Sequence, residues 1–155
     1  MAVWTVTRFV FHKHIFQLFG TDTNGDEQLL VCVEDVTDLC CCEDPGVTVC
    51  IHSNYDIVED KDDLDDYLGG TIQSIKLLET MEGYENSPVV MITLREKEDF
   101  ETITLVVEPY NNHRHGYYPH DFVYQIWKEC HVFEVGKSPI DLEEVSNRLK
   151  HVACI

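Results

Sequence analysis

The chain of 155 residues is long enough for one domain with a sizeable core, and its 44% hydrophobic content excludes an intrinsically disordered composition. Its 29 acidic residues outnumber its 11 basic residues, and a formal net charge of −18 disfavours direct binding to nucleic acid or to an anionic membrane surface. A partner that is held by electrostatics would therefore be a basic protein.

The cysteines and the apolar segments indicate the compartment. Seven cysteines are present, and three of them (Cys40, Cys41 and Cys42) are consecutive, which makes a poor disulfide framework because bridging needs a specific Cα separation. No apolar run approaches the roughly 18 residues that a membrane span needs. The sequence predicts a reducing compartment, cytoplasm or nucleus, in which the thiols stay free.

The N-terminal third predicts three strands. The segment "WTVTRFVF" is rich in β-branched and aromatic residues, and strict alternation would put Phe9 and Phe11 on one face with Val6 and Val10 on the other. Two apolar runs follow, around "TNGD", and predict a hairpin with strands near 14–22 and 27–34. The pair Asn24-Gly25 predicts a type I′ turn, since both residues accept positive φ angles.

The middle of the chain predicts four further strands and one acidic segment. "VTVCIHS" and "TIQSIKLLE" (47–53 and 71–79) are typical strands, and "VVMITLRE" with "ETITLVVE" (89–96 and 101–108) forms a second hairpin around "KEDF". The segment "YDIVEDKDDLDDYLGG" predicts an exposed loop or a single helical turn that ends at Gly69-Gly70. Its acids form the main predicted partner-binding face: Asp56, Glu59, Asp60, Asp62, Asp63, Asp65 and Asp66.

Helical periodicity characterises the C-terminal part. In "HDFVYQIWKECHVF" (120–133), Val123, Ile126, Trp127 and Cys130 recur at helical spacing, and Asp121 is placed to cap the helix. The segment "SPIDLEEVSNRLKHV" (138–152) begins with Ser-Pro, a typical helix start. The sequence therefore predicts an α+β domain over residues 1–155: a mostly antiparallel seven-stranded sheet or small barrel followed by two C-terminal helices.

This order of elements resembles the pleckstrin-homology-like superfamily, in which seven strands form a barrel closed by a C-terminal helix that often bears a tryptophan. Trp127 within "FVYQIWKEC" would occupy that place. The resemblance is one of architecture and spans roughly residues 1–135. The phosphoinositide binding that is common in such domains is not expected here, because the basic residues are few and scattered.

One histidine-rich segment, "NNHRHGYYPHDF" (111–122), raises an alternative function. His113, His115 and His120 would supply three imidazole ligands to a metal that activates water, as in a metal-dependent hydrolase. Asn, Gly and Pro in the same stretch favour a loop. No glutamate stands at the position where known catalytic signatures have their general base. In the loop interpretation, Tyr117 and Tyr118 either pack on the barrel rim or contact a partner.

The residues favour a function without catalysis. No nucleophile elbow, phosphate-binding loop or dinucleotide fingerprint is present, and no cofactor is expected. We predict a protein-interaction module whose acidic surface binds a basic partner protein, as an adaptor, an assembly subunit or an inhibitor that mimics the charge of DNA.

Overall fold

The computed structural model describes residues 3–35, 46–52, 56–78, 89–109, 122–127, 132–133 and 152–154. The one helix in these ranges is a 3-10 helix at Lys61–Tyr67. The strands are β1 (Thr5–His12), β2 (Ile15–Thr21), β3 (Glu27–Asp35), β4 (Val47–Ile51), β5 (Asp56–Val58), β6 (Thr71–Leu78), β7 (Val89–Arg95), β8 (Thr102–Pro109), β9 (Phe122–Ile126), β10 (Val132–Phe133) and β11 (Val152–Cys154).

All strands belong to one sheet, which is mostly antiparallel. The order across it is β11-β9-β3-β2-β1-β6-β7-β8-β4-β5, and β10 pairs with β6 beside this path. Strands β1 to β9 pair antiparallel with one another, whereas β10 and β11 pair parallel with β6 and β9. No helix in the described ranges is long and apolar enough to cross a lipid bilayer.

A short junction between β1 and β6 joins the two halves of the sheet. Thr5 pairs with Thr71, and the amide of Val6 donates to the carbonyl of Gly70 at 2.8 Å. Position 70 requires glycine, because a Cβ atom there would lie 2.8 Å from the carbonyl oxygen of Arg95 in β7. The first half is β1-β2-β3-β9-β11, and the second is β6-β7-β8-β4-β5.

Both halves bury one face in a single hydrophobic core. Alternation is clearest in β7, where Val90, Ile92 and Leu94 are fully buried while Met91 and Thr93 are partly exposed. From the first half, Phe16 and Leu18 of β2 belong to the same cluster. The apolar residues of the two halves thus leave water together, which is the main stabilising contribution to a sheet of this kind.

The strand faces that strict alternation predicts for β1 are wrong. Val6, Phe9 and Phe11 are all buried, because a register shift between Val6 and Arg8 inserts Thr7 as an extra residue opposite β2. Such a β-bulge moves every following side chain to the opposite face relative to the preceding ones. Val10 remains partly exposed on the outer face.

The predicted hairpins are confirmed as strand pairs, but the first turn differs in type. Strands β2 and β3 pair antiparallel, as do β7 and β8. In the connection after β2, Gly25 has φ +84°, while Asn24 does not adopt a positive φ. The Gly25 amide donates to the Asp22 carbonyl at 3.1 Å, and the Asn24 amide donates to the Asp22 carboxylate at 2.9 Å. The type I′ prediction is therefore wrong, because the Asp22 side chain stabilises an alternative five-residue connection.

The predicted fold class, α+β with two C-terminal helices, is wrong. Residues Phe122–Ile126, expected within the first helix, form strand β9 between β3 and β11. Tyr124 and Ile126 are fully buried there and Val123 and Gln125 are not, which is strand alternation. Trp127 directly follows this strand. Most of the second predicted helix, 138–152, lies outside the described residues, and its last residue, Val152, begins strand β11. The likeness to the pleckstrin-homology-like arrangement stays a prediction.

Leu64 anchors the 3-10 helix to the core. It is the buried residue of that helix, with 0% exposure, and it belongs to the central cluster. We expect Leu64→Ala to lower the free energy of unfolding by about 2–5 kcal/mol, because the substitution removes buried carbons and leaves a cavity. Chemical denaturation measures this loss. Leu68→Ala at the partly exposed end of the same segment is the control, and an equal, small loss in both variants would show that the helix is not docked.

Tyr124 carries a buried hydroxyl that has no hydrogen-bond partner among the described residues. Burial raises the pKa of this hydroxyl, and the nearby Glu108 adds to the effect. We expect Tyr124→Phe to leave the free energy of unfolding unchanged or to raise it by up to about 1–3 kcal/mol, since an unsatisfied polar group leaves the core. A decrease of about 1 kcal/mol or more on chemical denaturation would show that the hydroxyl is hydrogen-bonded in solution.

Candidate functional site

One end of the sheet is marked by a continuous row of paired residues, which we call the end row. Each member pairs with the next on the neighbouring strand, from β3 through β2, β1, β6 and β7 to β8. In that order the row consists of Glu27, Thr21, Thr5, Thr71, Arg95 and Thr102. Because neighbouring strands lie roughly 5 Å apart, the chain segments that leave this row lie side by side.

Three acidic segments leave the end row or run up to it. They are the β2–β3 connection with Glu27, the segment from Asp56 to β6, and the β7–β8 connection. We call their carboxylates the acidic end: Asp22, Asp26, Glu27, Asp56, Glu59, Asp60, Asp62, Asp63, Asp65, Asp66, Glu96, Glu98, Asp99 and Glu101. The other acids of the described ranges are Glu34, Asp35 and Glu108. Strand pairing therefore gathers most of the described carboxylates at one end of the sheet.

The predicted acidic segment begins with a short edge strand, β5, and continues as a capped 3-10 helix. Asp60 is the N-cap, and its carboxylate accepts the amide of Asp62 at 2.7 Å. The Asp63 carboxylate reaches back to the amides of Glu59 and Asp60, at 3.2 Å and 3.5 Å. This reciprocal capping box explains why so acidic a sequence forms a helix, because two carboxylates satisfy amides that the first turn leaves open.

The capping arrangement divides the acids of this segment into two groups. Asp60 and Asp63 hold the helix start, whereas Asp62, Asp65 and Asp66 are exposed and their carboxylates take no part in the cap. All seven acids that the sequence predicts as partner-binding residues are exposed. The structure thus presents them to solvent as predicted, but only part of the set can be altered without disturbing the local fold.

Two side chains show that two of the three acidic segments, the one from Asp56 to β6 and the β7–β8 connection, lie within electrostatic reach of each other. The pKa of Tyr67 is raised, first by burial and then by Glu96, Asp66, Asp56 and Asp63. The sources of this repulsion come from β5, from the 3-10 helix and from the β7–β8 connection. Tyr67 therefore lies between these two acidic segments, and it packs against the core.

Glu96 reports the same convergence from the other side. Its pKa is raised by burial and by repulsion from Asp99, Glu101 and Asp66. Asp66 and Glu96 are far apart in the sequence, so their interaction follows from the pairing of β6 with β7. Like charges that are held this close destabilise each other, and a cationic ligand would relieve that repulsion.

The carboxylates are spread over a surface and do not surround a point. Within the described ranges, no three His, Cys, Asp or Glu side chains stand close enough together to hold a metal ion. A single cation needs several oxygens directed at one centre. The geometry of the acidic end is therefore suited to a ligand whose positive charges are themselves distributed.

Exposed apolar side chains accompany these acids. Ile57 of β5 is 68% exposed, Leu68 at the helix end is 37% exposed, and Phe100 in the β7–β8 connection is 72% exposed. Ile57 and Phe100 directly adjoin acidic residues in the chain, and Leu68 lies two residues after Asp66. A surface that mixes charge with exposed aromatic and aliphatic groups is typical of protein interfaces.

The structure places only part of the predicted site. Tyr117 and Tyr118, expected as partner contacts, lie outside the described residues, and so do His113, His115 and His120 of the alternative metal site. Sequence reasoning missed Glu96, Glu98, Asp99 and Glu101, which it assigned to the ends of two paired strands and to the connection between them. A signal for them was present in the acidic composition of "EKEDFE", but their proximity to the 56–66 segment depends on strand pairing.

Comparisons with protein-family models, with curated proteins and with solved structures find no match for this chain.

The electrostatic contact between the two acidic segments is testable by titration. We expect Asp66→Asn to lower the pKa of Glu96, because the substitution removes one of the charges that repel its ionised form. Asp62→Asn is the matched control, since Asp62 is not among the groups that raise this pKa. An NMR titration of the Glu96 carboxyl carbon measures both variants, and an equal response to both would show that Asp66 and Glu96 are not neighbours.

Proposed function

We propose that this chain is a non-enzymatic protein-interaction module and that the acidic end is its docking surface for a basic partner protein. The observation that supports it is the convergence of acidic segments from distant parts of the sequence on Tyr67 and Glu96. Opposite charge on the partner would supply both steering and specificity. An adaptor, an assembly subunit or an inhibitor that mimics the charge of DNA would each use such a surface.

The arrangement of the charges favours a macromolecular partner over a small cation. The acids lie in the connections beside the end row and over the 3-10 helix, and the described carboxylates do not converge on one point. The exposed Ile57, Leu68 and Phe100 add apolar area that a free cation would not use. A basic protein surface with apolar groups among its lysines or arginines would complement both features.

Neutralising individual acids tests this proposal, with oligolysine as the probe. We expect Asp65→Asn, Asp66→Asn, Glu98→Gln and Asp99→Asn each to weaken binding by about two- to fivefold, as expected for single exposed charge pairs. Asp60 and Asp63 are left intact, because their carboxylates cap the helix. Isothermal titration calorimetry at two ionic strengths measures the affinities, and salt should weaken the binding of the unaltered protein.

The matched control is Glu34→Gln, which removes one negative charge from β3, away from the acidic end. If docking is local, this variant keeps nearly the full affinity for oligolysine. An equal loss in Glu34→Gln and Asp66→Asn would show that the peptide responds only to net charge. In that case the acidic end is not a specific docking surface.

A further inference from the structure

Phe100 is the most exposed large hydrophobic residue in the part of the chain that the structure describes. It lies in the β7–β8 connection, one residue before Glu101, whose carbonyl accepts a hydrogen bond from the Glu96 amide at 2.8 Å. With 72% of its surface exposed, the ring contributes little to the core. Glu98, Asp99 and Glu101 stand within two residues of it in the chain. An exposed aromatic side chain thus stands in a short segment that also carries three exposed carboxylates.

Elsewhere in this chain, an aromatic ring and a carboxylate together bind an arginine side chain. On the outer face of the first half, the Arg8 guanidinium lies 3.9 Å from the centroid of the Phe19 ring. The same guanidinium donates to the Glu27 carboxylate at 2.9 Å. One planar cation therefore contacts an aromatic face and a carboxylate together, and this pair of contacts is what Phe100 and its acidic neighbours offer.

We propose that Phe100 and its neighbouring carboxylates bind an arginine side chain of the basic partner. This inference rests on the proposed function and names the chemistry of its partner at one position. The guanidinium would stack on the Phe100 ring and donate to Glu98, Asp99 or Glu101. The partner segment is therefore an arginine-bearing basic segment, not merely a cationic one.

The preference for arginine over lysine follows from the different shape and hydration of their cationic groups. A guanidinium is planar, weakly hydrated and able to donate in a fork while it stacks on an aromatic face. A lysine ammonium is compact and strongly hydrated, so it loses more hydration when it approaches a ring. Carboxylates alone would attract both arginine and lysine, and the exposed ring is the feature that favours arginine.

The conformation of Phe100 makes it a favourable position for substitution. Its φ of 53° lies in the left-handed region, which bulky residues rarely adopt and which asparagine accepts more readily. We therefore expect Phe100→Asn to retain the folded structure and the melting temperature. Phe100→Tyr keeps the aromatic face. Ile57→Asn removes another exposed apolar residue, next to Asp56 of the acidic end, and serves as the non-aromatic control.

The experiment compares the affinity of the full chain for oligoarginine and oligolysine of equal length at one ionic strength. The unaltered protein and Phe100→Tyr should prefer oligoarginine. Phe100→Asn should weaken oligoarginine binding by about two- to fivefold and leave oligolysine binding nearly unchanged. Ile57→Asn should preserve the preference.

Two other results overturn the proposal in distinguishable ways. If both peptides bind in a salt-dependent manner and Phe100→Asn leaves their affinity ratio unchanged, the assignment of arginine to Phe100 fails, while the comparison of Asp66→Asn with Glu34→Gln still decides the docking surface. If neither peptide binds in a salt-dependent manner, the proposed function fails, and the arginine site fails with it.

Discussion

The hydrogen-bonded register across the end row determines where the three acidic segments of this protein lie. Six strands, from β3 to β8 through β1 and β6, meet in pairs from Glu27 to Thr102. The narrowest link in the row is the β1–β6 junction, where Thr5 pairs with Thr71 and the Val6 amide donates to the Gly70 carbonyl. Without this link, the β2–β3 connection would not stand on the same edge as the other two acidic segments.

The core holds these charges together against their own repulsion. The raised pKa of Glu96 means that the folded protein binds this proton more tightly than the unfolded chain does. The stability from that proton is present below the unfolded pKa and is lost as pH rises through the folded value. At neutral pH the ionised Glu96 therefore opposes folding, and burial of residues such as Leu64 must outweigh this cost. A bound cationic partner would remove part of this cost, so folding and partner binding are expected to support each other.

Local patterns were sufficient for the two hairpins and for the exposed acidic segment, because turn residues and charge runs act over a few positions. They failed at β9, where Val123, Ile126 and Trp127 fit a helical period while Phe122, Tyr124 and Ile126 fit a strand period. Pairing with β3 and β11 settles that choice, and neither partner is near in sequence. They also failed at Thr7, since alternation alone does not reveal a bulge.

The same limit applies to the candidate site. The run from Asp56 to Asp66 was predictable as an exposed acidic face, because its composition leaves few apolar residues to bury. The participation of Glu96, Glu98, Asp99 and Glu101 was not predictable, since it depends on the non-local pairing of β6 with β7. Phe100 gave no sequence signal of exposure, because an aromatic residue after "KED" is equally compatible with a buried strand start.

Paramagnetic relaxation can show whether strand pairing concentrates negative potential at one end of the sheet. Amide relaxation rates are measured with a cationic nitroxide and with a neutral nitroxide of similar size. We expect the cationic probe to enhance relaxation selectively in residues 22–27, 59–69 and 96–101. Added salt should suppress the difference between the cationic and the neutral probe. Equal enhancement by the two probes in these segments, or an enhancement spread evenly over the sheet, would contradict it.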